Sequence, residues 1–224
     1  MLCNILLFNI MTLIAVEGPS FSGKTTLLTQ LVARFSTETI GEHHDYVSTG
    51  FPPNPKTNEE AYVNADFFLD LEKKRAADTR RALDRQAIVF SDRSVVSLVA
   101  YQLALAAVKD KVSEAIAVPD YVMSLARQEI EAGNIEVPDG FILLRVADET
   151  THNLRVGERG RTNSDIFNQY YFSQAVSDAT EEACRLICPG VPTHTIISRN
   201  FEGGREYVLN EAVSFIEDMT PRAL

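Results

Sequence analysis

The stretch "GPSFSGKTTL" (residues 18–27) follows directly on the apolar run "TLIAV" (12–16) and decides the fold. It spells G-x-x-x-x-G-K-[ST] between a predicted strand and a predicted helix, the context in which the motif cradles a polyphosphate. The loop turns its backbone N–H groups inward, and the following helix presents its positive end to the phosphates. Lys24 can reach the β- and γ-phosphates, and the Thr25 hydroxyl can ligate Mg²⁺. Gly18, Ser20, Ser22, Gly23, Lys24, Thr25 and Thr26 form the expected nucleotide-binding set. The bland alternative is an ordinary glycine turn ahead of a helix; it leaves Lys24-Thr25 without a purpose.

Outward from the loop, short apolar runs alternate with longer amphipathic ones. The predicted strands are 12–16, 45–49, 87–91, 141–146 and 193–198. Between them, "KTTLLTQLVARF" places Leu27, Leu31 and Phe35 on one face. Residues 58–85 read as a long helix, bent or broken near its start, and "SVVSLVAYQLALAAV" (94–108) is apolar all round, as a buried helix is. Residues 120–133 end on Gly133, and 164–187 and 205–218 supply the last helices. Five strands separated by helices imply a parallel sheet covered on both faces, an α/β architecture. The prolines of "GFPPNPKTN" (50–58) mark a loop, and the polar "GERGRTNSD" (157–165) marks a mobile flap. No repeat, linker or low-complexity tract divides the chain, so one domain over residues 1–224 is expected.

The 224 residues are 45% hydrophobic, enough for a sizeable core, and the net charge of -10 argues against a duplex nucleic-acid partner. Three cysteines with no regular framework fit a reducing compartment. Cys184 and Cys188, one helical turn apart, read as buried thiols rather than half of a metal site. The apolar N-terminus has no basic leader and runs straight into the loop, so residues 1–10 read as an upstream extension, with Met11 an alternative start. No apolar run spans a bilayer, and a soluble, cytoplasmic protein is expected.

Asp92 closes the apolar run "AIVFSD". It reads as a Mg²⁺ ligand paired with Thr25, or as the N-cap of the next helix, and the two roles are compatible. Arg155, Arg159 and Arg161 lie in and beside the flap (about 155–165). Their guanidinium forks suit phosphoryl oxygens, and a closing flap excludes water; the alternative is a solvated basic stripe.

With these pieces placed, the chain resembles the thymidylate kinase family and, more loosely, the deoxynucleoside kinases. "AVEGPSFSGKTTL" is similar to the family's first strand and loop. "IVFSDRSVVSLVAYQ" resembles its D-R-[YH]-x-x-S-x-x-A-Y-Q segment and supplies Asp92, Arg93, Ser97, Tyr101 and Gln102. "PDGFILLRVADET" and "LRVGERGR" resemble its next strand and its arginine-bearing lid. The resemblance implies a P-loop kinase fold with a five-stranded parallel sheet and a mobile lid, ATP with Mg²⁺ as donor, and a nucleotide-like small-molecule acceptor. It implies catalytic roles for Lys24, Asp92, Arg93, Arg159 and Arg161, with Arg155 on the donor. It further implies an acceptor site drawn from Glu17, Phe67, Leu71, Arg93, Ser97, Tyr101 and Gln102. Phe67 stands where the family stacks a ring on the base, and core packing is its alternative. The helix after Asp92 forms homodimer interfaces in that family; burial within one chain explains its composition equally well.

The sequence departs from the family at three places. Leu71 replaces an arginine that reads the base, Gly50 replaces an arginine near the acceptor phosphate, and Ser20 replaces an acidic residue near the acceptor sugar. Two lost charge-assisted hydrogen bonds, at roughly 1.5–3 kcal/mol each, weaken a monophosphate acceptor about a hundredfold or more. The expected activity is thymidylate kinase-type transfer to a nucleoside monophosphate, the alternative a nucleoside or other hydroxylated acceptor. For a hydroxyl, a carboxylate must take the proton. Asp92 and Glu17 are placed for it, Glu17 equally as a structural partner, and the stretch after the second predicted strand, "STGFPPN", holds no glutamate. The rival class, a nucleotide-operated switch or regulatory ATPase, calls for D-x-x-G and N-K-x-D segments in its GTPase form, and neither is present.

Overall fold

The computed structural model describes residues 11–112, 116–162, 165–200 and 203–220. The upstream extension with Cys3, and Asn163 and Ser164 of the expected flap, lie outside the described residues. Five parallel strands form one sheet: β1 (Thr12–Glu17), β2 (Thr39–Ile40), β3 (Ile88–Asp92), β4 (Gly140–Val146) and β5 (Thr193–Ser198), in the order β2-β3-β1-β4-β5. The helices are α1 (Lys24–Phe35), α2 (Asn58–Leu83), α3 (Val95–Ala107), α4 (Pro119–Glu131), α5 (Glu149–Glu158), α6 (Tyr170–Ile187) and α7 (Gly204–Met219).

The central strands are buried on both faces, and their side chains alternate between two cores. Ala15, Phe141 and Leu143 point to the side covered by α3, α4 and α6, where they meet Val99, Ala126 and Val176. Ile14, Val16, Ile142 and Leu144 point to the other, against Leu27 and Leu31 of α1 and Ala212 and Ile216 of α7. α3 is therefore a core helix within one chain: Val95, Val96, Val99, Ala100 and Ala104 are all fully enclosed. Cys184 and Cys188 are buried free thiols, and burial pushes Cys188 up to about 12. Among the described residues no group of side chains forms a metal cluster, and no helix is long and apolar enough to cross a membrane.

Two sequence expectations change. α2 runs unbroken from Asn58 to Leu83; it contains neither Gly nor Pro, and Thr57 caps it by accepting the Glu60 N–H at 3.2 Å. The second strand is Thr39–Ile40, paired with Phe90 and Ser91, rather than 45–49. His43–Tyr46 instead makes one 3₁₀ turn. Its side chains are taken by α2: His43 Nε2 lies 2.6 Å from Glu72 Oε1, and the Tyr46 hydroxyl donates to Asp78 at 2.9 Å. Those contacts outweigh the β-propensity of Tyr46 and Val47.

β1 lies between β3 and β4, so the connections leaving β1 and β3 diverge to opposite sides of the sheet. The crevice at their carboxyl ends is where such sheets bind ligands, and it holds the loop 18–23.

Candidate active site

The loop leaves β1 and enters α1 through residues whose backbone no ordinary side chain favours. Gly18 has φ 136° and packs so tightly that a Cβ would lie 2.3 Å from the Leu144 carbonyl oxygen. Phe21 adopts φ 63°, a left-handed conformation that is uncommon outside glycine. Lys24, at the first turn of α1, is only 8% exposed and donates to the carbonyls of Gly18 at 3.1 Å and Pro19 at 2.9 Å. Burial, then the Arg93 charge, lowers its pKa from 10.5 to about 7. The Ser22 hydroxyl is buried with no hydrogen-bond partner, Ser20 is half-buried, and Thr25 and Thr26 are exposed at the head of α1.

Asp92 sits beside Val16 in the sheet register, at the tip of β3. Its Oδ1 is buried without a hydrogen bond, and burial raises its pKa against the opposing pull of Lys24. An enclosed, unpartnered carboxylate oxygen next to a polyphosphate cradle suits a divalent cation, so the donor set present fits Mg²⁺. The helix cap expected of Asp92 falls to Ser94, whose hydroxyl accepts the Val96 N–H at 3.2 Å.

Arg93, at φ 69°, turns its guanidinium back into the crevice. It donates to the Gly18 carbonyl at 2.9 Å and to Ser97 Oγ at 3.2 Å, reaches the Tyr101 hydroxyl at 3.4 Å, and pairs through Nε with Glu42. Glu42 is the residue that sequence reasoning missed. With β2 ending at Ile40, it is the second residue past the strand. Arg93 and Lys24 outweigh the effect of burial and hold its carboxyl below the usual range. Its other oxygen, Oε2, lies 3.5 Å from Nδ1 of the exposed His44.

Glu17 is wholly buried. It accepts hydrogen bonds from Ser94 Oγ at 2.6 Å and Ser97 Oγ at 2.5 Å, and burial raises its pKa against both. It thereby ties β1 to α3, as a structural partner does. Ser97 and Tyr101 gather around Arg93, whereas Gln102 points elsewhere and accepts the Val118 N–H at 2.8 Å. Phe67 is half-buried with its ring 5.5 Å edge-on to Phe68, and Phe68 in turn meets His43 at 5.8 Å and Phe51 at 5.3 Å. Leu71 is buried.

On the far side of the loop, α5 brings two of the three flap arginines. Arg155 donates to the carbonyls of Phe21 at 3.1 Å and Ser22 at 3.2 Å and to Ser198 Oγ at 2.8 Å. The Arg159 guanidinium stands 5.8 Å from the centre of the Phe21 ring, and Arg161 is exposed beyond the helix. Phe21, Gly23, Gln30, Arg155, Arg159 and Arg199 border a cleft of about 610 Å³, in the size range of small-molecule sites. The loop thus separates two regions, this cleft and the crevice of Glu42, Asp92 and Arg93.

The sequence model of an AAA domain matches residues 13–141. No curated protein matches the chain. Among solved structures, thymidylate kinase from Candida albicans is similar at 16% identity and TM-score 0.63, covering 93% of this chain and 92% of its own. Deoxyadenosine kinase from M. mycoides is similar at 15% identity and TM-score 0.57, over 90% and 99%. Thymidylate kinase from Ehrlichia chaffeensis is similar at 16% identity and TM-score 0.55, over 92% and 98%. These likenesses bear on the fold, and the resemblance read from the loop and the Asp92–Gln102 segment agrees with them. Since the matched model covers more than half of the sequence, including the loop and β3, the chain belongs to the AAA domain family.

Proposed function

We propose that this protein transfers the γ-phosphoryl group of ATP, with Mg²⁺, to a hydroxyl of a nucleoside-class small molecule. The observation that carries the reading is Glu42, ion-paired to Arg93 at the crevice side of the loop. The cleft beside Arg155 takes the base of the donor, and Thr25 and Asp92 would hold Mg²⁺, which supplies charge neutralisation on the β- and γ-oxygens.

Lys24 exchanges its two loop carbonyls for phosphoryl oxygens when the donor arrives. Arg93 swings from Glu42 to the transferring group, where negative charge accumulates. Losing that partner returns the Glu42 carboxylate toward ordinary basicity at the moment a base is needed. The acceptor oxygen then forms a bond to the γ-phosphorus, the bond from that phosphorus to the β–γ bridging oxygen breaks, and the acceptor proton passes to Glu42. ADP and the phosphorylated acceptor leave. Arg155 and Arg159 hold α5 against the loop and keep water from the donor.

A second reading, transfer to a nucleoside monophosphate, is favoured by Arg93, which would bind the acceptor phosphate. Glu42 weighs against it by occupying that cation and repelling a dianion. A coupled ADP-release screen against nucleosides and nucleoside monophosphates separates the two. Glu42→Gln is expected to slow a hydroxyl acceptor about 10²–10⁴-fold. Undiminished turnover in that variant, with a monophosphate as the best acceptor, refutes the first reading and establishes the second.

A further inference from the structure

Arg75 is one of the largest wholly buried side chains among the described residues, only 2% exposed, in the middle of a helix where it shares the interior with one other charge, Glu72. Every nitrogen of its guanidinium is hydrogen-bonded, as burial of a charge requires. Nε donates to the Gly41 carbonyl at 2.9 Å. Nη1 donates to Glu72 at 2.6 Å, and Glu72 is shared with His43. Nη2 reaches Ser91 Oγ at 2.9 Å and the carbonyls of Asp92 at 2.8 Å and Arg93 at 2.9 Å. Outside α2 itself, the acceptors belong to two segments. Gly41 immediately precedes Glu42, and Asp92 and Arg93 form the turn that leaves β3.

β2 is two residues long, so the sheet ladder ends before it can fix the backbone at Gly41 and Glu42. Gly41 is held close to the 3₁₀ turn, where a Cβ would lie 2.2 Å from Asp45 Oδ2. At β3 the left-handed Arg93 turns its carbonyl into the interior, where Ser91 Oγ donates to it at 2.6 Å alongside Arg75. One rigid, planar group therefore joins the Gly41 turn, which lies beyond the ladder, to the end of β3, where the Arg93 N–H makes the last bond to β1, to the Val16 carbonyl at 3.1 Å. A lysine has one nitrogen and cannot span both.

We propose that Arg75 is a positioning residue: it fastens the Glu42 turn to the Asp92–Arg93 turn and so fixes the spacing between the two carboxylates across the crevice. The proposal rests on the reading of Asp92 as a Mg²⁺ ligand and Glu42 as a base. Its principal test needs no acceptor. Calorimetry gives the affinity for ATP with and without Mg²⁺, and the ratio of the two measures how well Asp92 is presented. Arg75→Lys is expected to lower that ratio about tenfold while ATP affinity without Mg²⁺ changes less than about threefold. Ser91→Ala, which keeps every charge, is expected to move the ratio the same way by about threefold, and it serves if Arg75→Lys does not fold. An unchanged ratio in whichever of these variants folds overturns the proposal. Failure of the kinase reading appears as absent turnover with every acceptor, and that outcome leaves the binding ratio readable. With an active acceptor, Arg75→Lys lowers kcat more than it raises KM for ATP; a purely structural role predicts fewer folded molecules, each with unaltered kcat.

Discussion

Lys24 gives the sharpest quantitative expectation. In the nucleotide-free protein its ammonium is enclosed and bonded only to neutral carbonyls, and burial together with Arg93 brings its pKa down to about 7 from 10.5. At about pH 8, a group of pKa about 7 is roughly one-tenth protonated. A polyphosphate in the cradle supplies several negative charges at contact distance and returns the lysine to its cationic form. ATP binding at about pH 8 is therefore expected to take up about 0.9 proton, and at about pH 6 only about 0.1, because there the free protein already carries it. The free protein binds fewer protons than the complex between pH 7 and the higher pKa of the complex. Affinity therefore falls as pH rises through that window, by up to about tenfold per pH unit. Titration calorimetry in buffers of different ionisation enthalpy reads the uptake directly as the slope of observed enthalpy against ionisation enthalpy. Lys24→Met, measured in parallel, removes the contribution of the nucleotide's own protons. A wild-type slope near zero at about pH 8, equal to that of the variant, refutes the reasoning: the loop carbonyls would then suffice to keep Lys24 charged.

Other substitutions test separate parts of the site. Asp92→Asn is expected to abolish Mg²⁺-dependent turnover and yet to raise the denaturation midpoint at neutral pH. The folded Asp92 pKa lies above the ordinary value, so stability falls as pH rises from the ordinary carboxyl range through the folded pKa, the full cost is present above it, and the amide removes that cost. A lowered midpoint in Asp92→Asn contradicts this account. Arg155→Ala removes three hydrogen bonds of a half-buried cation to the loop and β5, and KM for ATP should rise at least about tenfold, from roughly 1.5–3 kcal/mol for such contacts. An unaltered KM in Arg155→Ala places the donor base outside the cleft. Phe90 of β3, wholly enclosed in the core it shares with α1 and with Phe35 5.8 Å away, should cost about 3–5 kcal/mol on truncation to Ala in denaturant titration. A loss under about 1 kcal/mol would mean that this core does not hold the sheet.

The legible parts of the molecule are those written in runs. β1, β3 and β4 bury consecutive apolar residues, while β5 buries only Ile196 and Ser198 but is rich in β-branched residues, and such runs show in the sequence. β2 does not, because two residues carry no periodicity. The apolar, β-prone "YV" nearby drew the strand to 45–49 although tertiary contacts with α2 fold that segment differently. That displacement hid Glu42, since the search for a carboxylate after the second strand began several residues too late. Lys24 and Arg93 were visible from short motifs whose backbone context is local. Arg75 was lost among the charges of "LEKKRAADTRR", although its phase was available: it shares the inward stripe of Ala61, Ala65, Glu72, Ala76 and Thr79. Phe21 gave no signal, because the left-handed backbone that aims its carbonyl at Arg155 has no signature in side-chain type.

The crowding around Gly18 bears on how a mutational survey of this chain should be interpreted. Any larger residue there collides with the main chain of β4 before a nucleotide is involved, so its losses would register as poor yield of folded protein. A Cβ on Gly23 would meet only Ser198 Oγ, at an ordinary contact of 3.8 Å, but the backbone φ there is 102°, so replacement strains the turn without forcing a collision. Two glycines of a single signature would thus fail for separable causes, and intolerance at the first of them testifies to sheet architecture rather than to phosphate chemistry.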